Sequence, residues 1–304
     1  MYHSHLLINV GDNPDRPDWN ITRRWLRNLY RVHQRLCMAF QTSSSALPDT
    51  PDAHHARNNE GGFLYRIDHT IYDVVNGKAT RSGRDVQRPI IIVQSAKKPD
   101  WDFAFGLNPD VVDERHRPVG NASFLLVAPP QIREIAMDLD GDTLTLACPT
   151  NESRNFVINP GDSVRFRLRA NPTWKKQDGT PNGKRCRPRV PEEAFKAGGV
   201  ERDRAFVRVH EEWLQRKLGD AADSLECFHL DHEGRRLHTL VTGWAWGWRT
   251  KYEPQPDQRM QWWSVLFEGT FRVNNTGTLK KLLESGVGPA KAFGFGLLSV
   301  ARIR

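Results

Sequence analysis

In its first hundred residues the chain runs strand, helix, strand, strand, and that order restricts its fold more than any other feature. Leu6, Leu7, Ile8 and Val10 make a strand-like run that stops at the turn-forming GDNPDRPD. From Asn28 the spacing turns helical. At about 100° per residue, Leu29, Val32, Leu36 and Phe40 share an apolar face opposite Arg27, Arg31 and Arg35, with Asn28 as N-cap. Residues 42–61 are polar and turn-rich. FLYRIDHT (63–70) and PIIIVQSA (89–96) then supply two further strands. This is the opening of a ferredoxin-like βαββαβ unit.

The order recurs in the second half. Strands are expected at 124–129, 143–149, 155–158 and 164–172, a helix at 202–218 with Phe206, Val209, Trp213 and Leu214 buried, and a strand at 269–275. A helix at 276–285 opening at Thr276 and a strand at 296–303 follow. The irregular stretch 97–120 carries the domain boundary, giving 1–104 and 105–304. In VRFRLRA, Val164, Phe166 and Leu168 alternate with Arg165, Arg167 and Arg169, the pattern of a half-buried strand with a cationic outer face.

Composition narrows the function classes. There are 44 Lys+Arg against 36 Asp+Glu, a net +8, and the pI is about 9.5, so an anionic partner is expected. With 14 Phe and 10 Trp in 304 residues the chain is core-rich, and a chain of that length needs no disulfide or metal for stability. No apolar stretch reaches a membrane span, and the N-terminus lacks a secretory pattern, so a soluble cytoplasmic protein is expected. Cys37, Cys148, Cys186 and Cys227 form no CxxC. HEEWL (210–214) lacks the second His of a zincin motif, the loose set Cys227, His229, His232 and His238 matches no zinc spacing, and no GxxxxGK[ST] exists. Neither a metal nor another cofactor is expected.

Four features carry chemistry, each with a plain alternative. Tyr30 and His33 lie three apart on one helix, either as an edge-of-core pair or as a general acid–base pair. Lys184, Arg185, Arg187 and Arg189 make a basic loop just after the arginine-faced strand. It is either a solvated turn or, with that strand, one positive surface for nucleic-acid phosphates. Gly286, Gly288, Gly294 and Gly296, with Lys291 among them, form either a tight packing loop or a phosphate cradle. Trp244, Trp246 and Trp248 share one face of a strand, as core packing, a stacking platform or a protein interface.

Taken in order, these segments resemble the CasE-type CRISPR repeat endoribonucleases of type I-E Cascade systems. The resemblance is carried by the MYxSxLLIN start, LYRVHQRL (29–36), FLYRID (63–68), IVQSA (92–96) and FRLRANPT (166–173). It continues through GKRCR (183–187), WLQRKLG (213–219), LFEGTFRV (266–273) and GVGPAKAFGFGLLSV (286–300). Insertions at 42–61, 71–88 and 116–155 and the Trp-rich 239–263 depart from the family pattern. The resemblance implies an α+β chain of two tandem ferredoxin-like (RRM-like) domains that cleaves pre-crRNA at the base of the repeat hairpin without metal. It places the family's catalytic pair on Tyr30 and His33, its hairpin-gripping loop on Lys184, Arg185 and Arg187, and its glycine-rich loop on Gly286 to Gly296 with Lys291. Its implied partners are the crRNA repeat hairpin, kept after cleavage, and other Cascade subunits, including the backbone subunit next to the crRNA 3′ end. Two other readings fit the same surface: a hairpin holder that does not cut, and a DNA-binding or structural subunit with the Trp strand as its interface.

Overall fold

The computed structural model describes residues 1–9, 19–40, 62–68, 74–75, 78–79, 89–106, 122–149, 155–175, 185–227, 229–230, 236–237, 241–249 and 258–303. The chain forms two compact units. The first comprises 1–135 with 245–261 and 292–294, the second 136–244, 262–291 and 295–304.

In the first unit the antiparallel strands lie in the order Phe63–Asp68, Ile90–Ser95, Tyr2–Leu7, Gln131–Glu134. Numbered along the chain this is 2-3-1-4, the ferredoxin-like arrangement. Register sorts the side chains: Leu6, Ile91, Val93, Tyr65 and Ile67, at most 3% exposed, form one face, while His3, His5, Gln94, Arg66 and Asp68 fall on the other. The unit runs past the expected boundary at 104/105 because Gln131–Glu134 pairs with Tyr2–His5 as the fourth strand. Residues 124–129 are not a strand. Ser123–Leu125 is a 3₁₀ turn, and Leu126 makes an isolated bridge to Ile8.

Two helices stand where one is expected. Trp19–Arg27 leads straight into Leu29–Met38, and only Asn28 separates them. Asn28 occupies the N-cap position without a side-chain cap bond; its backbone bridges Trp246 in parallel. Leu29, Tyr30, Val32 and Leu36 are the buried side of the second helix.

The second unit repeats the plan, with strands Ala222–Cys227, Gln258–Val273, Ser163–Ala170 and Leu298–Arg302 in the order 2-3-1-4. The strand Val241–Arg249 pairs with Gln258–Val273 as a fifth. Alternation along Ser163–Ala170 is as expected: Val164, Phe166, Leu168 and Ala170 are buried, and the arginines between them are exposed or half-buried. Those apolar residues pack with Phe267, Phe271, Trp213, Leu214, Leu279 and Leu283 in one core. Trp213 and Leu214 come from the helix Gly199–Leu218 and Leu279 and Leu283 from Thr276–Ser285, so both helices cover the same sheet face. The latter is capped by Asn275 rather than Thr276: the Asn275 side chain accepts from the Thr278 amide at 2.7 Å. A three-stranded sheet, Ala136–Asp140, Thr143–Ala147 and Phe156–Ile158, adds Leu144 and Ile158 to this core. No helix among the described residues is long and apolar enough to cross a membrane.

Three histidines tie stability to pH. Burial, foremost, holds His3, His5 and His210 below the ordinary 6.5. The unfolded chain therefore takes up these protons first as pH falls, so the stability is complete above 6.5 and is lost on acidification through the lowered values. The urea midpoint is expected to drop between about pH 7.5 and about pH 5, with a shallower drop in His3→Gln. Equal slopes in the two proteins would remove His3 from this account.

Candidate active site

His33 sits one turn into the helix Leu29–Met38, half-buried, with its ring held between two aromatic side chains of the first unit. Phe63 stacks on it at 5.7 Å between centroids and 23° between planes. Phe293 leans on it at 5.8 Å and 55°. Cys37, one turn further along, brings its Sγ to 3.4 Å from Nε2. Burial pushes that thiol up to about 12, so it stays neutral and presents no anion to the imidazole. The helix start is pinned by Tyr65, whose hydroxyl donates to the Leu29 carbonyl at 3.3 Å. Burial, and then Cys37, raise the Tyr65 hydroxyl well above its usual value, so it is a structural donor and carries no charge. Tyr30 is 8% exposed on the buried side of the helix. The Tyr30–His33 pair thus combines a buried phenol with an imidazole that is contacted by two phenylalanine rings and still reaches solvent, a group able to take or give a proton.

The glycine-rich loop is shaped by its own packing. Gly286, Gly288, Gly294 and Gly296 all have positive φ. A Cβ on Gly294 would lie 2.9 Å from the Tyr65 ring, and one on Gly288 would lie 2.9 Å from the Trp213 ring. Both glycines are therefore explained by protein rings pressed against backbone. Lys291 opens the single turn Lys291–Phe293, the turn that delivers Phe293 to His33. Its ammonium is half-buried, and burial first, then repulsion from Lys217, hold it below the usual lysine value.

The cationic strand face is less available than alternation implies. Arg165 is exposed, but Arg167 pairs with Glu268, and Arg169 donates to the Ser264 hydroxyl at 3.1 Å. In the basic loop, Lys184 lies outside the described residues. Arg185 is described by its backbone, paired with Lys175, and Arg187 and Arg189 are exposed. Arg187 stacks on Trp244 and Trp263 instead of standing free in solvent. Of the loose Cys/His set, Cys227 is a buried core thiol held well above its usual value by burial. The His229 side chain, His232 and His238 lie outside the described residues.

Sequence reasoning missed Phe63, Phe293 and Cys37 as the walls of the imidazole. Cys37 was legible as the i+4 neighbour of His33; the two phenylalanines, 230 residues apart in the chain, were not.

The chain belongs to a CRISPR-associated family: the model described as "CRISPR associated protein" matches residues 1–302. Within the family the chain is of CasE type. It is 27% identical over 287 residues to the CRISPR system Cascade subunit CasE of Escherichia coli strain K12, covering 92% of this chain and 96% of that one. It is 29% identical over 302 residues to the CRISPR-associated endoribonuclease Cse3 of Thermus thermophilus, covering 99% and 100%. A solved structure of the CRISPR endoribonuclease Cse3 bound to 19 nt RNA shares the fold, with a TM-score of 0.53, 24% identity, and coverage of 99% of this chain and 100% of that one.

Proposed function

We propose that this chain is a metal-independent endoribonuclease of the cytoplasm that cuts pre-crRNA at the base of the CRISPR repeat hairpin and stays on the 3′ hairpin as a Cascade subunit. The observation that carries the reading is the His33 imidazole, clasped by Phe63 and Phe293, open to solvent, and three residues from Tyr30. The names of the relatives, a Cascade subunit and an endoribonuclease, support it. The first unit carries the reacting groups in this reading, and the second grips the hairpin through Arg165, Arg185, Arg187 and Arg189, with Lys184.

The mechanism is transesterification. The ribose 2′-oxygen loses its proton and attacks the adjacent phosphorus in line with the departing 5′-oxygen, which gains a proton. The products are a 2′,3′-cyclic phosphate and a 5′-OH. His33 is the principal proton carrier, and Tyr30 orients the 2′-OH or shares the transfer. One well-placed acid–base group is worth roughly 10²–10⁴-fold, so a metal-bound hydroxide is not needed. A cation, Lys184, Arg185 or Lys291, steadies the phosphorane. An arriving phosphate would offset both causes that depress Lys291, its burial and its repulsion from Lys217.

The test is incubation with end-labelled repeat RNA in excess EDTA, followed by mapping of the product ends. A single cut at the hairpin base with a cyclic phosphate supports the reading. The same RNA with one 2′-deoxy nucleotide at the cut site should bind and stay whole. Tight binding of the natural RNA without any cut would turn the assignment to a hairpin holder that is not a nuclease.

A further inference from the structure

A second aromatic cluster lies in the second unit. The Arg187 guanidinium carbon is 5.5 Å from the ring centroid of Trp244 and 5.4 Å from that of Trp263. The two indoles meet edge to face, at 5.1 Å and 67°. Trp263 is fixed from behind, since its Nε1–H donates to His210 Nε2 at 3.1 Å. That nitrogen must accept, so the His210 proton sits on Nδ1, which donates to the Phe206 carbonyl at 2.7 Å. His210 is 0% exposed and neutral in this arrangement, and burial, its largest cause, keeps its affinity for a second proton low. The support is therefore rigid, while Trp244 is 46% exposed and Arg187 is also open to solvent. The strand pair Trp174–Lys175 with Arg185–Cys186 sets the backbone two residues before Arg187, which aims its side chain.

An exposed indole carrying a guanidinium, with Arg189 exposed beside it in the chain, selects its ligand by chemistry. Among the described residues no carboxylate pairs with Arg187. An apolar protein surface laid over this patch would strip water from that cation and return no anion. A nucleotide brings both a flat π-face for the indole and a phosphate for the guanidinium. Bases inside a duplex stem are stacked on one another, so the ligand must be unpaired.

We propose that Trp244 and Arg187, backed by Trp263, form a stacking site for one unpaired RNA base flanking the repeat hairpin. The proposal rests on the hairpin-binding reading and extends it from the stem to the adjoining single strand. Trp244 and Trp263 lie in the segment 239–263, where the sequence departs from the family pattern, while Arg187 belongs to the shared basic loop, so the site extends the hairpin grip.

The experiment compares the full-length protein with Trp244→Ala, Trp244→Phe and Arg187→Gln. The RNAs are the bare hairpin, the hairpin with single-stranded flanks, and the flanked hairpin with one abasic nucleotide moved along each flank. W244A should bind the flanked RNA roughly 5- to 150-fold more weakly, the size of one lost base–aromatic stack, and bind the bare hairpin as before. W244F should recover most of the loss. One abasic position should weaken the wild type by a similar factor and leave W244A unaffected. R187Q should lower the salt slope on flanked RNA by about one phosphate contact.

Equal losses of W244A on bare and flanked RNA, or unchanged abasic penalties in W244A, would overturn the site. So would a variant that binds every RNA normally but no longer joins other Cascade subunits, because Trp244 would then be a protein interface. If the wild type fails to bind the bare hairpin, the proposed function falls. The stacking site is then judged on the single-stranded flank alone, by indole quenching that W244A lacks. Circular dichroism of W244A excludes misfolding as the cause of any loss.

Discussion

Replacing His33 by alanine is expected to slow cleavage of the repeat hairpin by roughly 10²–10⁴-fold while hairpin affinity stays close to that of the wild type. The size follows from the role: a proton carrier contributes in the transition state and little to the bound ground state. His33 also fills space between Phe63 and Phe293, so alanine removes packing as well as chemistry. His33→Phe separates the two, since a ring between those phenylalanines keeps the packing and carries no proton. Single-turnover cleavage and equilibrium binding, measured on both variants, decide the matter. If H33F cuts at near wild-type rate, or if affinity falls in parallel with rate, the imidazole is a structural or contact group and the acid–base assignment is lost.

Asp68→Ala is expected to cost about 3–5 kcal/mol of folding stability, a large part of the roughly 5–15 kcal/mol a domain has. Asp68 and Arg66 face each other two residues apart on one strand face, with Nε–Oδ1 at 2.6 Å and Nη2–Oδ2 at 3.1 Å. Their side chains are 6% and 3% exposed. Removing the carboxylate leaves the guanidinium buried without its bidentate partner. The double variant Arg66→Met with Asp68→Leu removes both charges and should recover most of the loss. Tyr65 lies beside Arg66 on the opposite strand face and holds the Leu29 carbonyl, so loosening this strand should also lower cleavage through the Tyr30–His33 helix. Urea unfolding of the three proteins is the measurement. A loss below about 1 kcal/mol in D68A would mean that the pair is solvated and contributes as a surface bridge does.

The elements read best from sequence were those whose periodicity is set by a single buried face. Val164, Phe166 and Leu168 announced their strand, and Leu29, Val32 and Leu36 their helix. The helix Trp19–Arg27 escaped because, among its described side chains, the buried ones are Thr22 and Leu26, a stripe too short to stand out among the arginines. The sequence placed His33 on its helix but not between its walls, because Phe293 reaches it from the far end of the chain. The glycine-rich loop was legible as a place of close approach; that the approaching groups are the Tyr65 and Trp213 rings depends on tertiary packing. The arginines of VRFRLRA were legible as an outward face, yet Glu268 lies opposite Arg167 only once the strand register is known. Trp244 and Trp263 stood in separate strands with no pattern linking either of them to Arg187.

Phe293, the second wall of the His33 ring, is also the last part of that pocket to be synthesised. At ribosomal speeds of about 5–20 residues per second, roughly 13–50 s separate the making of His33 from that of residue 293. Throughout that interval the emerging polypeptide has His33 but not the Phe293 ring that leans on it. A chain halted before residue 293 carries the histidine in an unfinished setting. On the proposed reading, the setting of the His33 imidazole is complete only once residue 293 has been added.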